Sequence, residues 1–258
     1  MKLLPFFLSL SLAALVVAVP HFSQAEELPT LMTRRGKLLV QQDFEKPLPP
    51  FDGKSNGFAS GFKAWRYNTE KRGGHWDVVD GTFAGTENPE VHHPATASYG
   101  FDFKDVVIQC EVKMKDVPLN GRVGRRVHVR TTDTKDYVCS VMIDDKGWGI
   151  EKDDNDHAGP DKPVPLGRIN QPMKLDEWHT VVFEILGEEM VGTVDGKSLT
   201  GTHPLIGEEK HSVMFVIGGE GAVRNFKVWQ AEANPDWAKN KETILAAQKA
   251  AAPSAGKK

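Results

Sequence analysis

Apolar and polar residues alternate along much of this chain, in short runs that are typical of antiparallel strands. The clearest hairpin runs from Trp178 to Ile185, turns at Gly187 and continues to the Asp195-Gly196 pair. Leu38–Phe44 forms an earlier run, and a second hairpin with Asp80-Gly81 at its bend spans residues 76–83. Further runs occupy residues 106–114, 126–131, 137–143, 147–151, 212–217 and 222–229. Because no helical pattern separates them, the sequence predicts an all-β fold, an antiparallel β-sandwich.

The two ends of the chain differ from this central part. Met1-Lys2, an apolar run from Leu3 to Val19 and the small residues around Ala25 predict a signal peptide over residues 1–25. We therefore expect a secreted or periplasmic protein without a membrane span after cleavage; an uncleaved anchor is the alternative. The β-sandwich is predicted over residues 38–231. Asn234-Pro235 begins a predicted C-terminal helix over residues 232–250, and residues 251–258 are predicted to be a disordered tail.

Charge and cysteine content narrow the range of partners and cross-links. The formal net charge of −3 argues against a nucleic-acid partner, which needs clustered positive charge. Cys110 and Cys139 both fall on apolar positions of predicted strands. If the strand that contains Arg126–Arg130 lies between theirs, the two cysteines are roughly 9–10 Å apart, too far for a disulfide. We therefore expect two buried thiols, whereas another strand order would permit a bond.

The strongest candidate site is the basic strand Arg126-Val-His-Val-Arg130. Alternation sends Arg126, His128 and Arg130 to one face, and Glu111 and Lys113 take the matching positions of the preceding strand. If the two strands are neighbours, the carboxylate of Glu111 faces His128 or Arg130, and the five side chains form a polar surface suited to sugar hydroxyls. The alternative is an ordinary solvated face with cross-strand ion pairs.

Two further features border this predicted surface. Trp148 lies between two glycines, so it is either a flat platform for a sugar ring or a core residue. The segment from Lys152 to Lys174 is long and rich in proline, and we expect it to fold over the edge of the site and to contribute Lys152 or Asp153; an exposed insertion without function is the alternative. The acidic run that begins at Asp153 lacks the spacing of a calcium loop. No metal and no cofactor are predicted.

The absence of certain motifs limits the predicted chemistry. Retaining glucanases with this kind of sandwich carry Glu-x-Asp-x-x-Glu, which places paired carboxylates on one strand face. Neither Glu184–Glu189 nor Asp144-Asp145 fits that pattern. No Gly-x-Ser-x-Gly elbow, phosphate-binding Walker loop or His-Glu-x-x-His zinc motif occurs either.

Taken together, these motifs resemble the secreted 3-keto-disaccharide hydrolase domains, which are jelly rolls of the concanavalin-A-like and laminin-G-like superfamily. The resemblance extends over roughly 190 residues, from the first strand to Trp229, and rests on Trp76-Asp-Val-Val-Asp-Gly, the Glu111 strand, Val194-Asp-Gly and Asn225-Phe-Lys-Val-Trp229. Arg130 matches the arginine that closes the central strand in the family, whereas the Asn-Ser-Gly that family members usually carry is absent.

The resemblance implies a carbohydrate ligand and, if the domain is catalytic, attack on a 3-keto-glycoside. In that case we expect His128 to be the base, Arg130 to stabilise the enolate and Glu111 to orient the base, with Arg126, Lys113, Trp148, Lys152 and Asp153 as ligand contacts. A non-catalytic binding or scaffold module of the cell envelope is the alternative function.

Overall fold

The computed structural model describes residues 26–49, 63–69, 73–134, 136–153 and 162–251. The described residues form two antiparallel sheets and one C-terminal helix, α1 (Trp237–Ala251). The eight strands of the first sheet are β1 (Thr33–Gln42), β3 (His75–Val79), β4 (Thr82–Thr86), β6 (Val106–Met114), β11 (His179–Leu186), β12 (Glu189–Val194), β13 (Lys197–Thr202) and β15 (Glu220–Ala233). The seven strands of the second sheet are β2 (Ala64–Arg66), β5 (Ala95–Phe103), β7 (Arg126–Thr132), β8 (Tyr137–Asp144), β9 (Gly147–Lys152), β10 (Val164–Ile169) and β14 (Lys210–Gly218).

The strand order shows how the chain alternates between the two sheets. The first sheet has the order β13-β12-β11-β6-β15-β4-β3, with β1 paired to the long strand β15. The second has the order β10-β9-β8-β7-β14-β5-β2. The consecutive strands β6 and β7 therefore belong to different sheets. The predicted antiparallel β-sandwich is confirmed.

The core lies between the sheets and is built from the inward-facing half of each strand. Val127 and Val129 of β7 and Phe215 of β14 are buried there, as are Ile108 and Val112 of β6. At one end, aromatic rings from both sheets pack together: Phe44, Trp65, Phe83, Phe215 and Phe226. Burial of this alternating apolar face fixes which side chains remain on the outer faces.

The outer face of the first sheet is covered by the N-terminal segment and by α1. Glu184 of β11 is fully buried on this face, and its carboxylate accepts hydrogen bonds from the backbone N–H groups of Leu31, Met32 and Thr33 at 2.7–2.9 Å. The Thr33 hydroxyl donates a fourth bond. Helix α1 packs Ile244 against Met32 and Val191. This apolar packing explains why the helix stays on the sandwich.

The structure also contains strands that alternation did not reveal. β2, β5, β10 and β13 were not predicted, and β10 lies within the segment that was expected to be an irregular loop. β10 contains Pro165, which an edge strand tolerates because one side of its backbone has no partner strand. The predicted signal peptide, the tail beyond Ala251 and most of the acidic run after Asp153 lie outside the described residues.

Both cysteines are free and buried, as expected, although the expected reason was wrong. β7 does not lie between the two cysteine strands. Cys110 belongs to β6 of the first sheet and Cys139 to β8 of the second, and both face the shared core.

Candidate functional site

The outer face of the second sheet carries the three basic residues that the sequence singled out. Val127 and Val129 point into the core, so Arg126, His128 and Arg130 of β7 emerge together on the opposite side. Met142 of β8 pairs with His128, and Ser140 of β8 pairs with Arg130. The prediction that these basic side chains share one face is therefore confirmed.

His128 lies between the two arginines. Nη2 of Arg130 is 3.4 Å from Nδ1 of His128. Because a guanidinium can only donate, Nδ1 is the accepting nitrogen and the neutral ring carries its proton on Nε2. Burial, then the positive charges of Arg130 and Arg126, lower the pKa of His128 well below its usual range. The imidazole is consequently neutral at physiological pH.

A buried acidic pair lies beside Arg130. Arg130 donates to Oδ1 of Asp153 at 2.8 Å, and its Nη2 is 3.8 Å from Oε1 of Glu151. Ser140 lies in the same cross-strand row, and the guanidinium stacks 4.4 Å from the ring centroid of Tyr137. Burial, followed by the neighbouring charge of Asp153, raises the pKa of Glu151 to about 7.

Glu111 and Lys113 do not belong to this surface, which corrects the predicted site. β6 is in the first sheet, so the expected pairing of Glu111 with His128 or Arg130 does not form. Glu111 instead accepts hydrogen bonds from Arg224 and from the Asn225 amide. The Lys113 ammonium lies 4.6 Å from the ring centroid of Trp178 on the same outer face. Adjacency in sequence misled the prediction, because the chain crosses from one sheet to the other after β6.

Trp148 and Lys152 do not reach the predicted surface. Of the two alternatives for Trp148, the structure shows the core residue: alternation along β9 turns its ring inward, where it is 2% exposed. Lys152 pairs with Cys139 in the row of side chains that faces the first sheet. It therefore leaves β9 on the side opposite Glu151. Asp153, by contrast, contacts the predicted site through Arg130.

Sequence reasoning missed Glu151, Ser140 and Tyr137. A signal for the acidic pair was present, because Glu151 and Asp153 are separated by one residue, the spacing that places two side chains on the same strand face. It was overlooked because Asp153 was interpreted as part of a loop. Among the residues that the structure describes, no group of three or more His, Cys, Asp or Glu is placed to hold a metal ion.

A separate cavity of about 840 Å³ lies between α1 and the edge strands β10 and β13. Its lining mixes aliphatic side chains such as Leu199 and Ile244 with the amides of Asn240 and Gln248. None of the basic or acidic residues around Arg130 contributes to it. The candidate site around Arg130 and this cavity therefore lie in different parts of the molecule.

The fold is similar to that of known carbohydrate-active proteins. A carbohydrate-binding module from Bacillus subtilis matches 67% of this chain and 99% of its own length, at 12% identity and a TM-score of 0.52. LamA from Z. galactanivorans, solved in complex with laminaritriose and laminaritetraose, matches 76% and 100% at 12% identity and a TM-score of 0.51. The β-glucanase of Bacillus licheniformis matches 77% and 100% at 14% identity and a TM-score of 0.50.

These similarities establish the architecture: the chain has a jelly-roll β-sandwich fold. No protein-family model and no curated protein matches the sequence. None of the helices in the described parts of the chain is long and apolar enough to cross a membrane.

Proposed function

We propose that this protein is a secreted or periplasmic carbohydrate-active domain that binds a glycan on the outer face of its second sheet. One observation carries the proposal: a neutral His128 is held between two guanidinium groups, beside a buried acidic pair. Titratable groups with perturbed pKa values that converge on one surface are typical of functional sites. The carbohydrate ligand is inferred from the sequence resemblance and is consistent with the fold.

For a catalytic role, the substrate that suits these residues is a 3-keto-glycoside. The ketone acidifies the hydrogen on C2, so one base can remove it without the paired carboxylates of a retaining glucanase. Nδ1 of His128 is the basic nitrogen, and its lone pair accepts Nη2 of Arg130 at 3.4 Å in the free protein; in the proposed complex that donor moves to O3 of the sugar, which frees Nδ1 to take the proton. C2 and O3 of the sugar are two bonds apart, so this base and this donor can reach both atoms together. Arg130 then stabilises the enolate oxygen.

The remaining residues of the face have supporting roles in this proposal. Asp153 holds the guanidinium of Arg130 through a 2.8 Å ion pair. Arg126 lies on the other side of His128, and its Nη2 donates to the carbonyl of Val123, which orients the guanidinium at the edge of the face. Arg126 is thus a candidate contact for the glycan. Glu111 has no part in the site, because it lies in the other sheet.

A non-catalytic binding module is the second candidate. The observation that favours it is that Arg130 is already engaged, by Asp153 and by the ring of Tyr137. A rigid, preorganised guanidinium on a sheet face is well suited to binding sugar hydroxyls without any reaction.

The experiment is to incubate the purified protein with a 3-keto-glucoside and with the parent glucoside, and to measure both cleavage and binding. We expect cleavage of the keto substrate only, with His128→Ala and Arg130→Ala each lowering kcat/KM by about 10²–10⁴-fold. Lys113→Ala, on the other sheet, is the matched control and should retain activity. Binding without cleavage would favour the second candidate. Full activity in both alanine variants would exclude the proposed site.

A further inference from the structure

Glu151 is a buried acid on the same face as the proposed base, and the removal of the C2 proton by His128 does not involve it. It lies on β9 in the cross-strand row that continues through Ser140 to Arg130. Glu151 is 7% exposed, and Asp153, two positions further along the chain, is 3% exposed. Glu151 therefore leaves β9 on the face that carries His128, and Asp153, the residue after β9, reaches the same face through Arg130.

The charges around this pair do not balance if both carboxyls are ionised. Arg130 is the cation that contacts them, and its short ion pair goes to Oδ1 of Asp153. Oδ2 of Asp153 is buried and receives no hydrogen bond from the residues that the structure describes. An unsatisfied buried carboxylate oxygen is costly, and among the described residues the pair lacks one donor.

A proton on Glu151 supplies that missing donor. The Glu151 carboxyl lies within hydrogen-bonding reach of Asp153. Among the described residues, the charged groups that act on Glu151 are Asp153, just after its strand, and Arg130 on β7, with His128 beside Arg130. Burial and Asp153 raise the pKa of Glu151 to about 7, and Arg130 and Ser140 lower it by less. Near neutral pH the pair therefore holds a proton.

We propose that Glu151 is the general acid of the site, and that it donates its proton to the sugar oxygen that leaves during cleavage of the 3-keto-glycoside. Asp153 and Arg130 are positioning residues, which hold the protonated carboxyl toward the face. This inference rests on the proposed function, because a proton donor is needed only if the glycosidic bond breaks.

The proposed step balances without an oxidant or a further reactant. Nδ1 of His128 takes the C2 proton, and the electrons of that bond form the enolate with O3. When the ketone re-forms, a double bond forms between C1 and C2, the bond from C1 to the glycosidic oxygen breaks, and that oxygen takes the proton of Glu151. The products are a 3-keto-glycal and an alcohol. Addition of water across the double bond then restores both residues: Glu151 takes a proton from the water whose oxygen bonds to C1, and His128 gives its proton to C2.

The proposed base and the proposed acid lie on different strands of the second sheet. The base lies on β7 and the acid on β9, with β8 between them, so the two strands are roughly 9–10 Å apart. The row between Arg130 and Glu151 contains only the small side chain of Ser140. The guanidinium of Arg130 spans this row toward the acidic pair, so in the proposed complex the sugar ring lies over it, with the base on one side and the acid on the other.

The test compares two leaving groups on the same 3-keto-glucoside: a second glucose, which needs protonation, and 4-nitrophenol, which leaves as a stable anion. We expect Glu151→Gln to lower kcat for the disaccharide by about 10²–10⁴-fold and to change the nitrophenyl reaction less than tenfold. Glu220→Gln, which alters an ion-paired glutamate of the first sheet, is the matched control and should leave both reactions unchanged. Equal losses on both substrates in Glu151→Gln would overturn the inference while leaving the proposed function intact.

The unmodified protein provides a second measurement that does not depend on the folding of a variant. With the disaccharide, kcat should fall as the pH rises through about 7, because Glu151 loses its proton, and with the nitrophenyl substrate this fall should be absent. The same fall on both substrates would also overturn the inference. If the unmodified protein cleaves neither substrate, the catalytic form of the proposed function fails, and the role of Glu151 fails with it.

Discussion

At the scale of single residues, His179 shows how the fold controls a protonation state. Its Nδ1 is 2.6 Å from Oδ2 of Asp195, and its Nε2 is 2.8 Å from the carbonyl of Lys174. Both partners accept hydrogen bonds, so the ring binds both best as the imidazolium. The hydrogen bond to Asp195 is the main reason why the pKa of His179 is raised.

This raised pKa gives a prediction for stability against pH. The contribution of His179 is fully present below its unfolded pKa and is lost as the pH rises through the higher folded pKa. We expect Asp195→Asn to lower the free energy of unfolding by about 1 kcal/mol at pH 6, a value reduced because the Asp195 side chain is 45% exposed. The loss should shrink toward pH 9. Urea denaturation across this range measures it.

Asp80→Asn is the matched control, because Asp80 occupies a similar turn with positive φ before a glycine. Its effect on unfolding should not depend on pH near the pKa of a histidine, since no histidine is bonded to it among the described residues. A pH-independent loss in Asp195→Asn would contradict the assignment of the imidazolium.

At the scale of elements, the N-terminal segment is held on the first sheet by one carboxylate. The carboxylate of Glu184 accepts hydrogen bonds from the backbone N–H groups of three consecutive residues. The Gln109 side-chain oxygen accepts further hydrogen bonds from Leu28 and Arg35. A segment without a strand partner must satisfy its backbone in this way when it is buried. Residues 31–33 thus depend on a side chain that lies more than 150 positions away along the chain.

We expect Glu184→Ala to lower the free energy of unfolding by about 3 kcal/mol, because it leaves several buried N–H groups without an acceptor. Hydrogen exchange should accelerate first in residues 31–33. Glu188→Ala, in the exposed turn after β11, is the control and should cost less than about 0.5 kcal/mol. Slow exchange at residues 31–33 in the Glu184 variant would mean that the neighbouring strands alone hold the segment.

At the scale of the whole molecule, the distance between the two sheets determines which side chains fit the core. Gly192 of β12 faces the second sheet, and a Cβ added there would lie 2.6 Å from Cγ2 of Ile150 and 3.1 Å from Cγ2 of Val141. The two sheets are therefore close together at a point where one of them has no side chain. Rigid, densely packed interiors do not absorb added volume at such a point.

We expect Gly192→Val to lower the free energy of unfolding by about 1–3 kcal/mol through overpacking. Gly207→Ala, where the nearest atom to an added Cβ is 3.5 Å away, is the control and should be close to neutral. Thermal denaturation of both variants measures the difference. An equal melting temperature for Gly192→Val and the unmodified protein would show that the sheets can separate there without cost.

The sequence by itself determined the fold class and the face on which each basic side chain lies. Alternation with a period of two separates Val127 and Val129 from Arg126, His128 and Arg130 whatever the neighbouring strands are, because a one-residue shift would bury the charges. The same rule sends Trp76 into the core. These conclusions depend only on local geometry and on the cost of burying charge.

Only the tertiary structure decided which strands are neighbours, and therefore which residues form the site. Strand order depends on packing between the two sheets. This packing produces no periodic pattern of apolar and polar residues in the sequence. Adjacency along the chain suggested Glu111 as the partner of His128, whereas the crossover between β6 and β7 places Glu111 in the other sheet and brings Glu151 and Asp153 to Arg130 instead. The perturbed pKa values of this group follow from that contact and from its burial, neither of which exists before the sheets assemble.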